Sequence, residues 1–118
     1  MKTIPLTHEF GIIDNHKDLS IYIDYEPKKF NCISVCDNVV SGLMEQLLIM
    51  KTYFQTFNRP AYGLAYHGTT IIPPESLSLF YDIVVYSNYF KKSADLQELT
   101  LIIIRAIEEE KYMIHFGI

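Results

Sequence analysis

The sequence predicts an α+β fold, a single domain with about three helices packed on a small, mainly antiparallel sheet. Three observations lead there. Apolar and polar residues alternate in short runs, as in Ser20 to Tyr25 and Phe30 to Val35. Apolar residues recur at steps of three and four in three longer stretches. The 118-residue length suits one hydrophobic core, and no repeat, linker or low-complexity segment divides it.

The elements are expected in the following order. Ile4, Leu6 and His8 alternate with Pro5 and Thr7, which fits a short edge strand, because proline cannot donate to a central ladder. Gly11 and the Asp14-Asn15 pair mark turns. Ser20 to Tyr25 places Ile21 and Ile23 on one face and Tyr22 and Asp24 on the other, and Glu26 to Lys29 turns the chain. Phe30 to Val35 is a second alternating strand. Asp37 or Asn38 then caps a helix, since a short oxygen-bearing side chain accepts from free backbone N–H groups. Leu43, Leu47, Met50, Phe54 and Phe57 give that helix one apolar face, ending before Arg59-Pro60. Gly42 within it implies close packing against the sheet.

Tyr62 to Tyr66 and Thr69 to Ile72 flank His67-Gly68, either as a hairpin, which we favour, or as one strand bent at Gly68. Pro73-Pro74-Glu75-Ser76 opens a second helix, because proline suits the first turn and Glu75 the positive end of the dipole. Leu77, Phe80, Tyr81 and Val84 form its stripe, and Ser87 to Lys92 is a loop. Ser93 caps a third helix with Leu96, Leu99, Ile103, Ala106 and Ile107 inward. Tyr112 to Phe116 is the last strand, with Met113 and His115 opposite in facing to Tyr112, Ile114 and Phe116.

Composition narrows the function classes. The formal net charge is −4. That argues against direct binding of nucleic acid, which calls for a basic patch, and suits a basic partner. No apolar run reaches the ~18 residues of a membrane span, and the first ten residues lack a signal-peptide core, so the expected compartment is the cytoplasm. Cys32 and Cys36 would lie about 13 Å apart in a strand, too far for a disulfide, and read as reduced thiols. His8, His16, His67 and His115 make no His-x-x-x-His pair, so neither a metal nor another cofactor is expected. Gly68-Thr69-Thr70 lacks the lysine and glycines of a phosphate loop, and no serine sits in a Gly-x-Ser-x-Gly elbow.

What stands out is tyrosine, nine residues with no tryptophan, placed next to acid. Tyrosine couples a large apolar face to a polar tip at small entropic cost, so it is enriched at interfaces. Asp14, Asp18, Tyr22, Asp24, Tyr25 and Glu26 form one acidic, tyrosine-bearing stretch suited to attracting and gripping a basic protein. Tyr66 and His67 are added as candidate contacts. A second acidic cluster is Glu108, Glu109 and Glu110.

Three segments resemble small bacterial immunity proteins in texture: Tyr-Glu-Pro-Lys-Lys-Phe-Asn-Cys-Ile-Ser-Val at 25–35, Ile-Met-Lys-Thr-Tyr-Phe at 49–54 and Gly-Leu-Ala-Tyr-His-Gly-Thr-Thr-Ile-Ile-Pro-Pro-Glu-Ser at 63–76. Those proteins are the cognate inhibitors of polymorphic toxins, including toxins of contact-dependent growth inhibition. The resemblance implies a non-enzymatic cytoplasmic protein that binds a toxin domain, often a basic nuclease, and blocks its active site or a nearby surface. The alternatives are a regulatory or self-associating binding module, or a small enzyme using Tyr66, His67 and Glu75 or Asp82.

Overall fold

A computed structural model describes residues 6–14 and 26–118 of the chain. Its strands are β1 (Thr7–Ile13), β2 (Ile33–Cys36), β3 (Lys51–Phe54), β4 (Pro60–Tyr62), β5 (Thr69–Ile72) and β6 (Tyr112–Phe116), and its helices are α1 (Asp37–Leu47), α2 (Leu77–Val85) and α3 (Ala94–Glu109). The strands form one six-stranded antiparallel sheet in the order β2-β1-β6-β5-β3-β4. The predicted α+β class, three helices on an antiparallel sheet, is the class observed.

The sheet has two unequal faces. Phe10, Val35, Ile72 and Met113 point toward the helices and meet Leu43, Leu47, Phe80, Val84, Leu96 and Ile103 in the larger core. Ile13, Ile71, Ile114 and Phe116 point the other way, against Phe30, Tyr53, Phe57 and Tyr112. The alternation expected for the last strand is therefore observed, with Met113 in one cluster and Ile114 and Phe116 in the other. Ser93 caps α3 as expected, accepting from Leu96 N–H at 3.2 Å.

Several expectations are corrected. The first strand is interior, paired with β2 on one side and β6 on the other. It runs from Thr7 to Ile13, and Ile4 and Pro5 lie outside the described residues. Gly11 is a mid-strand residue, not a turn. A Cβ there would stand 2.6 Å from Phe30 O and 2.7 Å from Cys32 Sγ, so glycine permits the close approach of the turn Pro27–Phe30. The strand expected at Ser20 to Tyr25 lies outside the described residues.

The helix expected to reach Phe57 stops at Leu47, and Cys36 occupies the N-cap position without a side-chain cap bond. Lys51–Phe54 is a strand instead, held between β4 and β5. The spacing of Met50, Phe54 and Phe57 mimicked a helix, but Thr52-Tyr53-Phe54 also suits a strand, and tertiary pairing chose it. Gly42 faces the Tyr89 ring, 2.6 Å from where a Cβ would sit, and not the sheet. Neither a hairpin nor a single bent strand spans 62–72: β4 pairs with β3, while β5 lies between β3 and β6. Pro60 begins the edge strand β4, where its missing N–H is tolerated. Pro74–Ser76 is a 3-10 turn leading into α2, and the loop expected at Ser87 to Lys92 contains a second such turn at Phe90–Lys92.

Candidate functional site

Strand register builds the most distinctive constellation. His115 of β6 lies opposite Phe10 of β1 and opposite Thr70 of β5, so these three form one cross-strand row on the helix side. His8, two residues before Phe10, is then the diagonal neighbour of His115. The two imidazoles stack with centroids 5.1 Å apart, and both are fully buried. His8 Nδ1 is 2.8 Å from His115 Nε2. His8 Nε2 is 2.8 Å from Asp37 Oδ1, at the first residue of α1. Tyr66 donates its hydroxyl to Asp37 Oδ2 at 3.0 Å, and His115 Nδ1 is 3.2 Å from Thr70 Oγ1.

Proton positions follow from the inventory of donors and acceptors. The ionised Asp37 only accepts, so His8 donates from Nε2. With both rings neutral, His8 Nδ1 accepts from His115 Nε2–H, and His115 Nδ1 accepts from the Thr70 hydroxyl. Thr70 Oγ1 in turn accepts from Ala65 N–H at 2.8 Å. Every ring nitrogen is satisfied without water, as burial demands. Burial, and then the neighbouring His8, holds the His115 pKa well below the usual histidine value. The hydrogen bond from His8 is the main cause lowering the Asp37 carboxyl. Tyr66 is raised by desolvation first and by Asp37 second.

The other end of β1, about 20 Å away, is charged and open. Ile13 lies opposite Tyr112, which brings Asp14 to Lys111. Lys111 Nζ stands 2.8 Å from both Asp14 Oδ1 and Glu109 Oε1, and Arg105 Nε is 3.2 Å from Glu109 Oε2. Hydrogen bonds to Asp14 and then Glu109 raise the Lys111 pKa, and Lys111 lowers that of Glu109. Glu108 and Glu110 are exposed and join none of the ion pairs found among the described residues. All three glutamates sit at the negative end of the α3 dipole, where cations would stabilise. A locally unfavourable choice of this kind points to a use elsewhere.

A third surface lies where α1 and α2 end. Glu45, Gln46, Ile49, Asp82, Ile83 and Tyr86 line an open groove. Ile49 is 68% and Tyr86 83% exposed.

The residues singled out in sequence are spread over this molecule. Asp14 lies at the charged end, while the Tyr66 hydroxyl lies at the buried-histidine end, so the two do not share a patch. Glu26 pairs with Lys29 at 3.5 Å and shares a shallow surface pocket with Lys28 and Lys29, which offset its charge. His67 contacts the Tyr66 ring edge-on and is 2.9 Å from Ile118 O through Nδ1. Asp18, Tyr22, Asp24 and Tyr25 lie outside the described residues. Tyr66 and His67 precede β5 and Glu75 follows it, near Tyr112, so these three do not converge. Asp82 lines the groove with Tyr86, away from both.

Cys32 and Cys36 are free thiols, with burial, and then Glu9, pushing Cys32 up to about 12. No group of three metal-ligating side chains occurs among the described residues, and no described helix is long and apolar enough to cross a membrane. The His8–His115 contact was missed because it joins residues 107 positions apart. The only sequence signal was their placement on alternating strands.

No protein-family model matches this chain, and no curated protein matches it. Among solved structures it is similar to the Neisseria DNA mimic protein DMP12, with a TM-score of 0.51 and 12% identity, over 93% of this chain and 98% of that one. At that identity the likeness is one of fold.

Proposed function

We propose that this chain acts by binding another protein, and that the surface it covers on that partner is a basic one that otherwise holds nucleic acid. The observation that carries the reading is the acidic end of the sheet. Glu108 and Glu110, which join none of the ion pairs among the described residues, lie beside the Asp14–Lys111–Glu109 cluster, against the preference of the α3 dipole. Clustered carboxylates steer a basic surface into contact and make association salt-dependent. The fold likeness to a protein described as a DNA mimic supports the same class of partner. The binding is non-enzymatic: Tyr66 and His67 are engaged with Asp37 and Ile118, remote from Glu75.

A regulatory binding module is the reading these observations favour. Toxin immunity is its narrower form, in which the partner is a basic nuclease domain and the chain blocks its active site or an adjacent surface. The test is competition. Proteins retained by the immobilised chain are identified, purified and pre-bound to a fluorescent DNA duplex. Addition of the wild-type chain should release the duplex, and the variant Glu108→Lys with Glu110→Lys should release it at least tenfold less effectively. Simultaneous binding of chain and duplex would overturn the reading. Nuclease activity in the retained partner, abolished by the chain, would select the immunity form.

A further inference from the structure

The relay of His8, His115 and Asp37 satisfies its own polar groups, whereas the groove between the ends of α1 and α2 stands open. Ile49, just after α1, and Tyr86, at the end of α2, line it, and they are the two most exposed large hydrophobic side chains among the described residues. Half-buried Ile83 lines it as well, and exposed Leu48 lies against Gly63, carrying the apolar surface toward the edge strand β4. Exposed apolar surface gathered in one place marks an interaction site. The only charged lining groups are carboxylates, Glu45 and Asp82, and neither joins an ion pair found among the described residues. Both sit in the last turn of their helix, and neither last turn carries a basic residue. The negative ends of two helix dipoles therefore add to two carboxylates. We infer that the groove receives an amphipathic helix of a partner protein, whose apolar face seats on Ile49, Ile83 and Tyr86 and whose lysines or arginines meet Glu45 and Asp82.

The form of the occupant follows from the walls. The lining residues belong to two helices and the turn after α1, and none to a strand. An occupant gains no ladder bonds there and must satisfy its own backbone, which a helix does while presenting apolar residues at steps of three and four. A second copy of this chain is a poor occupant, because a two-fold pairing would set the same carboxylates and the same helix ends against each other. A cationic partner removes that repulsion. The walls are also preformed. Tyr89, beyond the end of α2, packs on Gly42 of α1, where a Cβ would stand 2.6 Å from its ring. Preformed walls lower the entropic cost of binding. The groove shares no residue with the acidic end of α3, so this inference stands apart from the proposed function.

The probe is a synthetic helix of about 18 residues, leucine on one face and lysine on the other, with a leucine–glutamate peptide of the same pattern as control. Each is titrated into the isotope-labelled full chain at about 0.15 M salt, and backbone amide shifts are followed by NMR. The lysine peptide should bind with a Kd of ~1 mM or tighter and move the amides of Glu45, Gln46, Ile49, Ile83 and Tyr86. The glutamate peptide should move none of them. Tyr86→Ala and Ile49→Ser, both at exposed positions, should each weaken binding about fivefold. Glu45→Gln with Asp82→Asn should weaken it by a similar factor and reduce its salt dependence. Glu108→Lys with Glu110→Lys should leave it unchanged. Absence of groove shifts at ~1 mM lysine peptide would overturn the inference. So would shifts confined to the acidic end of α3, which would mean charge attraction alone, or equal binding of the two peptides. A dimer in sedimentation equilibrium that Tyr86→Ala dissociates would give the groove to a second copy, and would overturn it as well.

Discussion

The two ends of β1 carry polar clusters of similar size and opposite design. At the Thr7 end, His8, His115, Thr70 and Asp37 form a chain in which each ring nitrogen has a protein partner and water has little place. At the Ile13 end, Asp14, Lys111, Glu109 and Arg105 make ion pairs in solvent, and two further glutamates stand beside them. The contrast teaches that burial, rather than the number of polar contacts, decides what a cluster contributes. Buried groups left unpaired are costly, so the first cluster fixes geometry. Exposed pairs are screened and add little stability, so the second is free to serve long-range attraction.

Breaking the buried end should cost most. His115→Ala leaves a cavity and strands His8 Nδ1 and Thr70, and should destabilise by about 3 kcal/mol in urea unfolding. Between the two ends, Gly11→Ala should cost about 1–3 kcal/mol, because its Cβ meets backbone at Phe30 that cannot easily retreat. The same measurement against pH sharpens the difference. The His115 pKa is lowered on folding, so the unfolded chain binds the extra proton below the unfolded value. Stability is then fully present above about pH 6.5 and declines as pH falls below it, by at most about 1.4 kcal/mol per pH unit. His115→Gln should flatten that slope. A slope of the opposite sign would mean that the relay binds its proton in the folded state.

Smaller effects should mark the margins. Tyr66→Phe removes one hydrogen bond at the open rim of the relay, and should lower the unfolding midpoint less than Gly11→Ala does. At the charged end, Asp14→Asn should leave the thermal midpoint unchanged at physiological salt. A stability loss there equal to that of His115→Ala would erase the distinction between the ends.

The legible and illegible parts of the molecule divide along the same physical line. Local chemistry announced α3, because Ser93 and the Leu96–Leu99–Ile103 stripe concern neighbours in sequence. It announced β6 and its two faces for the same reason. It misread Lys51–Phe54 because a run of four residues satisfies either period, and only β4 and β5 on its flanks decide. It treated Gly11 as a turn because the cause of that glycine, the Phe30 carbonyl, arrives from another segment. The candidate contacts were chosen by proximity in sequence, yet Asp14 and Tyr66 fell at opposite ends of one strand.

Composition and periodicity by themselves determined the fold class, the acidic character and the identity of the third helix, since those follow from charge counts and from contacts three or four residues apart. Tertiary structure alone decided the strand order β2-β1-β6-β5-β3-β4, and with it the meeting of His8 with His115. Register between distant strands is set by burial of whole faces and by loop closure, and neither leaves a mark on any short stretch of sequence.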